Sequence, residues 1–138
     1  LHANNANQAL DRIINFFPDS AHQQLHNDLS QNLKAVISQR LVIGLDSKRI
    51  PAVEIMLSSP YISELIAKGD IGHFKDAMER GRTEGMITFD DALYELYKKK
   101  LISEEVALEN ADSQSNLSLK IRLGTPDTSH VEDNYSFK

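Results

Sequence analysis

Residues 25–57, LHNDLSQNLKAVISQRLVIGLDSKRIPAVEIML, decide the fold. Leu25, Leu29, Leu33, Val36 and Ile37 recur at helical spacing and predict one amphipathic helix whose apolar stripe faces a core. After Ile37 the pattern changes. Gln39 to Ile43 and Ile50 to Leu57 are rich in Leu, Ile and Val, and the polar run Gly44-Leu45-Asp46-Ser47-Lys48-Arg49 between them supplies turn-forming residues. The stretch therefore reads as a helix feeding a β-hairpin.

Working outward, Ala6, Leu10, Ile13, Ile14 and Phe17 share a helical face after Asn4 or Asn5 as cap, and Pro18 ends that run. Asp19 or Ser20 caps the long helix that follows. Beyond the hairpin, Ser59-Pro60 opens a third helix with Ile62, Leu65 and Ile66 on its buried side and Gly69 as its stop. Asp70 opens a fourth, with Ile71, Phe74, Ala77 and Met78 facing inward before Gly81 and Gly85. Thr88-Phe89-Asp90-Asp91 resembles a capping box for a fifth, striped with Phe89, Ala92, Leu93, Leu96 and Tyr97. Ser103-Glu104-Glu105 starts a sixth, ending near Ala111. Leu117, Leu119, Ile121 and Leu123 then alternate with Ser118, Lys120 and Arg122, the period of an edge strand or an extended arm with one apolar face.

The chain is thus expected to be mainly α with a short β-hairpin, an α+β arrangement. Residues 1–112 would form a helical and hairpin region, 113–123 an extended arm, and 124–138 a disordered tail. With 138 residues the length suits one domain. A net charge of -5 argues against a dedicated nucleic-acid binder, which draws phosphates to a basic face, and Lys98-Lys99-Lys100 suits the end of a helix instead. No cysteine is present, which excludes disulfides, thiolate metal sites and a cysteine nucleophile. No apolar run reaches the roughly 20 residues of a membrane span, so no membrane insertion is expected. The Asn-x-Ser matches at Asn116 and Asn134 read as chance. The opening Leu1-His2 reads as the start of a piece of something longer.

Neither a G-x-x-x-x-G-K-[ST] nor a G-x-G-x-x-G loop occurs, and no G-x-S-x-G elbow marks a serine nucleophile. No nucleotide-binding residue is therefore assigned within the chain. His22 and His26, four apart on a helix, can face one metal ion, but two ligands are too few and Gln23 stands where the H-E-x-x-H motif needs glutamate. No metal site is assigned. His73 and His130 read as surface groups.

The run from His2 through Asn4-Asn5-Ala6-Asn7-Gln8-Ala9-Leu10-Asp11-Arg12 to Pro18 closely resembles the segment leaving the histidine box of twitching-motility retraction ATPases, the PilT/PilU family, and its PilU branch most of all. The likeness continues through Leu33 to Leu41, Ala52 to Ile55 and Gly85 to Asp90, and covers the chain from His2 to about Leu123. Four blocks in the right order are far more specific than any one of them.

What the resemblance implies is the C-terminal part of a RecA-like secretion-ATPase domain plus its helical extension. It would belong to a homo-hexameric ring on the cytoplasmic side of the inner membrane, with a paralogous retraction ATPase and the inner-membrane pilus platform as further partners. ATP and magnesium would bind the full-length protein, whose Walker A and Walker B elements precede Leu1. His2 aligns with the second histidine of the box, near the nucleotide phosphates, and is the one catalytic candidate. The PilT branch has an A-I-R-N-L-I-R-E helix; here Tyr61-Ile62-Ser63-Glu64-Leu65-Ile66-Ala67-Lys68 keeps the apolar Ile62, Leu65 and Ile66 while both arginines become Ser63 and Ala67. That departure favours the PilU branch and leaves an arginine-dependent role without its residues. Ile62, Leu65 and Ile66 read first as core and second as an interaction surface, together with Leu117, Leu119, Ile121 and Leu123 of the arm. The competing reading is a non-enzymatic helical protein-interaction module that binds a partner through Asn116 to Leu123.

Overall fold

The computed structural model describes residues 4–124. Two strands, β1 (Ala35–Ile43) and β2 (Arg49–Leu57), form an antiparallel hairpin, and seven helices pack around it: α1 (Ala6–Asn15), α2 (Asp19–Asn32), α3 (Pro60–Lys68), α4 (Phe74–Arg80), α5 (Phe89–Lys98), α6 (Glu104–Asn110) and α7 (Gln114–Gly124).

Most helix starts are fixed by the side chains that mark them in the sequence. Asn5 accepts the Gln8 N–H at 2.9 Å, Ser59 that of Ile62 at 3.2 Å, Thr88 that of Asp91 at 3.1 Å and Ser103 that of Val106 at 3.1 Å, so each satisfies an amide the helix cannot. Gly69 ends α3 in the left-handed region at φ 69°, where a Cβ would also meet the His26 ring at 2.8 Å. Lys100 makes the same turn after α5 at φ 58° without the glycine, while the Lys100 and Leu101 amides close onto the Tyr97 and Leu96 carbonyls. Asp19 does not cap α2; Pro18 occupies that position, and Asp19 places its charge in the first turn.

The hairpin begins earlier than its sequence pattern suggests. Val36 and Ile37, expected on the helical stripe, lie in β1 opposite Met56 and Ile55, because α2 stops at Asn32 and Leu33 turns extended. Two β-branched residues followed by a serine favour the pleat over another helical turn. The loop 44–48 is closed by the Gly44 amide on the Lys48 carbonyl at 2.8 Å and by Asp46 accepting the Lys48 N–H at 3.0 Å. Ile55 turns its backbone groups away from β1 to bridge Ile87, so the odd positions of β2 point off the pair, and Pro51 sits where its missing N–H costs no ladder bond.

The inner face of the hairpin roofs two cores. Met56 joins Ala6 and Leu10 of α1, Ile62, Leu65 and Ile66 of α3, and Phe74, Ala77 and Met78 of α4. Val42 and Ala52 join Phe89 and Leu93 of α5, Ile102, Ala107 of α6, and Leu117 and Ile121 of α7. The outer face is different: Ile37, Leu41 and Ile43 of β1 stand exposed, with Leu45 in the turn.

The expected extended arm at 113–123 is a helix instead. Its four aliphatic side chains divide accordingly: Leu117 and Ile121 are 1% and 3% exposed, Leu119 and Leu123 are 50% and 77% exposed. Positions 117 and 121 lie one turn apart, so a segment that alternates as a strand presents only half of its apolar residues to one side as a helix. Leu, Lys, Arg and Gln are all good helix formers, Ile121 is the one β-branched residue of α7, and the Leu117 amide bonds the Ser113 carbonyl at 3.0 Å to start the helix. The expected tail lies outside the described residues apart from Gly124, which closes α7. Among the described residues, no helix is long and apolar enough to cross a membrane.

Candidate functional site

Between the two cores the inner face of the hairpin turns polar. Ser38 faces Glu54 across the ladder and Arg40 faces Ala52, so Arg40 and Glu54 stand diagonally on one face. Glu54 is buried. One of its oxygens accepts the Ala6 N–H at 2.9 Å and the other the Phe89 N–H at 3.1 Å, so a single carboxylate serves the first turns of α1 and α5 together. Burial raises its pKa above the ordinary glutamate value, and the two amides counter that only in part.

Arg40 spends its guanidinium on three neighbours. Nε donates to the Asn4 carbonyl at 3.1 Å, Nη1 to the Asn110 carbonyl at 2.8 Å and Nη2 to the Asp112 carboxylate at 2.6 Å. Its Cζ lies 3.9 Å from the centroid of the Phe89 ring, so the cation also stacks on the first residue of α5. Asp90 completes the set from the other side: its carboxylate accepts the Asp112 and Ser113 amides at 2.8 and 3.2 Å and the Lys75 ammonium at 3.2 Å. A cavity of about 260 Å³ opens here, lined by Asn5, Asn7, Glu54, Lys75, Thr88 and Asp112 among others.

A larger groove of about 540 Å³ runs between α4, α5 and α7. Along it Asp91 takes Lys120 at 2.6 Å and Arg82 through two bonds at 2.7 and 2.9 Å. Burial would raise the Asp91 pKa, but those two cations outweigh it and hold the carboxyl below its usual value. Lys120 also lies 4.6 Å from the centroid of the Tyr94 ring.

The N-terminal amides of α1, α3, α5 and α6 are served by the chain's own acceptors, with the Glu54 carboxylate at α1 and α5, while α2 and α4 begin without a side-chain cap. The cations lining the groove, Lys75, Arg82 and Lys120, are each paired with Asp90 or Asp91. Among the described residues no cluster of three metal-ligating side chains occurs. His22 instead bonds the Phe17 carbonyl at 2.8 Å, His26 packs over Gly69, and His73 is exposed and pairs with Asp70 at 2.7 Å, which raises its pKa.

His2 lies outside the described residues, two positions before Asn4. Ile62, Leu65 and Ile66 are buried in the first core, so their side chains pack inside the chain and offer no open surface. Of the four aliphatic arm residues, Leu119 and Leu123 are exposed and Leu117 and Ile121 are buried. Sequence reasoning did not single out Arg40, Glu54 or Asp90. Glu54 shares strand parity with Ala52 and Met56, which was a signal of burial, but Val53 and Ile55 make the opposite parity equally apolar.

The sequence is 49% identical over 133 residues to the type IV pilus ATPase PilU of Pseudomonas aeruginosa, a match covering 95% of this chain and 35% of that protein. This chain matches the C-terminal part of a PilT/PilU-family ATPase. PilT of Pseudomonas aeruginosa is 35% identical over 116 residues, covering 84% of the chain and 34% of that protein, and a twitching motility protein of Neisseria gonorrhoeae is 32% identical over 119 residues. The chain thus spans about a third of the length of the curated relatives it matches. The crystal structure of the pilus retraction motor PilT with bound ADP superposes with a TM-score of 0.75 at 30% identity, covering 86% of this chain and 33% of that one. The ATPase DotB of Legionella pneumophila, at TM-score 0.62 and 18% identity, shares the fold. No family model matches the sequence.

Proposed function

We propose that this chain is the C-terminal mechanical part of a PilU-like retraction ATPase, which drives type IV pilus disassembly with ATP. It supplies the histidine-box end at His2, contacts between subunits, and the coupling of nucleotide state to movement, while ATP and magnesium are held by the part of the ATPase before Leu1. The observation that carries this reading is the 49% identity to PilU across nearly the whole chain. Two features support it. Ser63 and Ala67 replace the arginines of the PilT-branch motif, as expected of a subunit that works alongside a main retraction motor. The outer face of β1 leaves Ile37, Leu41 and Ile43 exposed beside a strand edge without a partner among the described residues, a surface suited to continuation by the rest of the ATPase domain. The partners in this reading are the other subunits of a homo-hexameric ring, a paralogous retraction ATPase and the inner-membrane pilus platform, on the cytoplasmic face of that membrane.

The test is to read the complete reading frame that contains this chain and to express its product. A P-loop and a Walker B element upstream of Leu1, ATP turnover, and a ring-sized mass are expected. A reading frame without a P-loop, or a product that turns over no ATP, would overturn the reading in favour of a helical interaction module.

A further inference from the structure

The turn of the hairpin and the turn that follows α5 lie side by side, joined by the Leu45 amide on the Leu101 carbonyl at 2.9 Å. Each carries a non-glycine residue in the left-handed region, Ser47 at φ 65° and Lys100 at φ 58°, and among the described residues these are the two such positions. Each also presents a leucine to solvent: Leu45 is 63% exposed and Leu101 43%. Around them stand four exposed cations, Lys48, Arg49, Lys99 and Lys100, without an ion-pair partner among the described residues, whereas Lys68, Lys75, Lys98 and Lys120 each lie against a carboxylate. Nearby acids have electrostatic partners of their own. Asp46 accepts the Lys48 amide at 3.0 Å, Glu95 lies 3.6 Å from the Lys98 ammonium, and Glu104 and Glu105 sit in the first turn of α6, at the positive end of its dipole.

We infer that this tip is a docking surface for the anionic headgroups of a lipid bilayer, with Leu45 and Leu101 entering the interfacial layer and Lys48, Arg49, Lys99 and Lys100 meeting the phosphates. The strained backbone points the same way. Glycine would relieve the turn after α5, so a lysine there costs stability that only its side chain can repay. The composition favours a bilayer over an acidic protein. Protein interfaces centre on Tyr, Trp and Arg and are depleted in Lys. At the tip three of the four cations are lysines, whose stems lie along apolar surface while the ammonium reaches the polar layer, and both exposed apolar residues are aliphatic. Such a surface adsorbs without spanning. It deepens the peripheral membrane location of the ATPase reading, yet it follows from the chemistry of the tip alone, so either can fail without the other.

The test is sedimentation of the full chain with vesicles of phosphatidylglycerol in phosphatidylcholine, against vesicles of phosphatidylcholine alone. Binding is expected to the anionic vesicles only, and should weaken as salt rises to about 0.5 M. Lys48→Ala and Lys99→Ala should each lower the partition coefficient about five-fold, and Leu45→Ser by a similar factor. Lys100→Gly separates binding from folding: its melting temperature should rise while its partition coefficient falls about five-fold, whereas a residue that serves only the turn would lose no binding. Lys34→Ala, an exposed cation just before the opposite end of β1, should bind as the unsubstituted chain does. No binding to anionic vesicles, equal binding to both vesicle types, undiminished binding in Lys99→Ala and Lys100→Gly, or an equal loss in Lys34→Ala would each overturn the inference. Capture on polyglutamate without binding to vesicles would also overturn it, and would assign the tip to an acidic protein.

Discussion

Replacing Leu117 by alanine distinguishes a docked helix from an extended arm, because the helix gives its neighbours on the alternating pattern opposite environments. Leu117 is fully buried against α5 and α6 in the second core, whereas Leu119, two residues on, is half exposed. Removing the equivalent of three buried methylene groups costs about 2.4 kcal/mol at ~0.8 kcal/mol each. The cavity left between α5 and α7 brings the expected loss to about 3 kcal/mol, within the ~2–5 kcal/mol range for buried leucines. Leu119→Ala loses only part of the transfer free energy and gains helix propensity, so its cost should stay below about 1 kcal/mol. Equilibrium unfolding of both variants in urea, with unchanged m-values, gives the comparison. Equal losses at the two positions, or no loss at Leu117, would refute the helical assignment of residues 114–124.

Lys100→Gly should stabilise the chain by about 0.5–1 kcal/mol in the same assay, since glycine adopts the left-handed turn after α5 without a Cβ penalty. Gly69→Ala should destabilise by more than about 1 kcal/mol, because the new Cβ meets both an unfavourable φ and the His26 ring. Asp91 has a folded pKa below its unfolded value of about 3.9, so its contribution is present above that pH and is lost as the pH falls through the folded pKa. Melting curves from pH 6 down to pH 2 should show a smaller acid-induced fall in Asp91→Asn than in the unsubstituted chain.

Most of the helical frame was legible because it is written in local chemistry. Asn5, Ser59, Thr88 and Ser103 cap the helices their positions announce, and Gly69 ends α3 as a left-handed glycine should. The hairpin was legible from its turn and its β-branched runs, though not its first residues: Val36 and Ile37 continue the helical spacing of Leu29 and Leu33, and only pairing with Ile55 and Met56 decides against the helix. Residues 117–123 misled for a related reason. Four aliphatic residues at every second position satisfy a period of two, yet 117 and 121 satisfy a helical turn equally well, and the choice is made by the pocket between α5 and α6. Arg40 and Glu54 were invisible because all but one of their hydrogen-bond partners, the Asp112 carboxylate, are backbone groups of Asn4, Ala6, Phe89 and Asn110, and no side-chain pattern records where a distant carbonyl or amide will lie.

In the proposed reading this chain couples nucleotide state to movement while the nucleotide is held elsewhere in the ATPase, and one titration tests that most directly. The purified chain is titrated with magnesium ATP in a calorimeter, its fold checked beforehand by a cooperative melt. With the N-terminal amides of α1, α3, α5 and α6 served by Glu54, Asn5, Ser59, Thr88 and Ser103, and Lys75, Arg82 and Lys120 paired to carboxylates, no saturable heat is expected below millimolar nucleotide. Saturable one-to-one binding at micromolar ATP would contradict it.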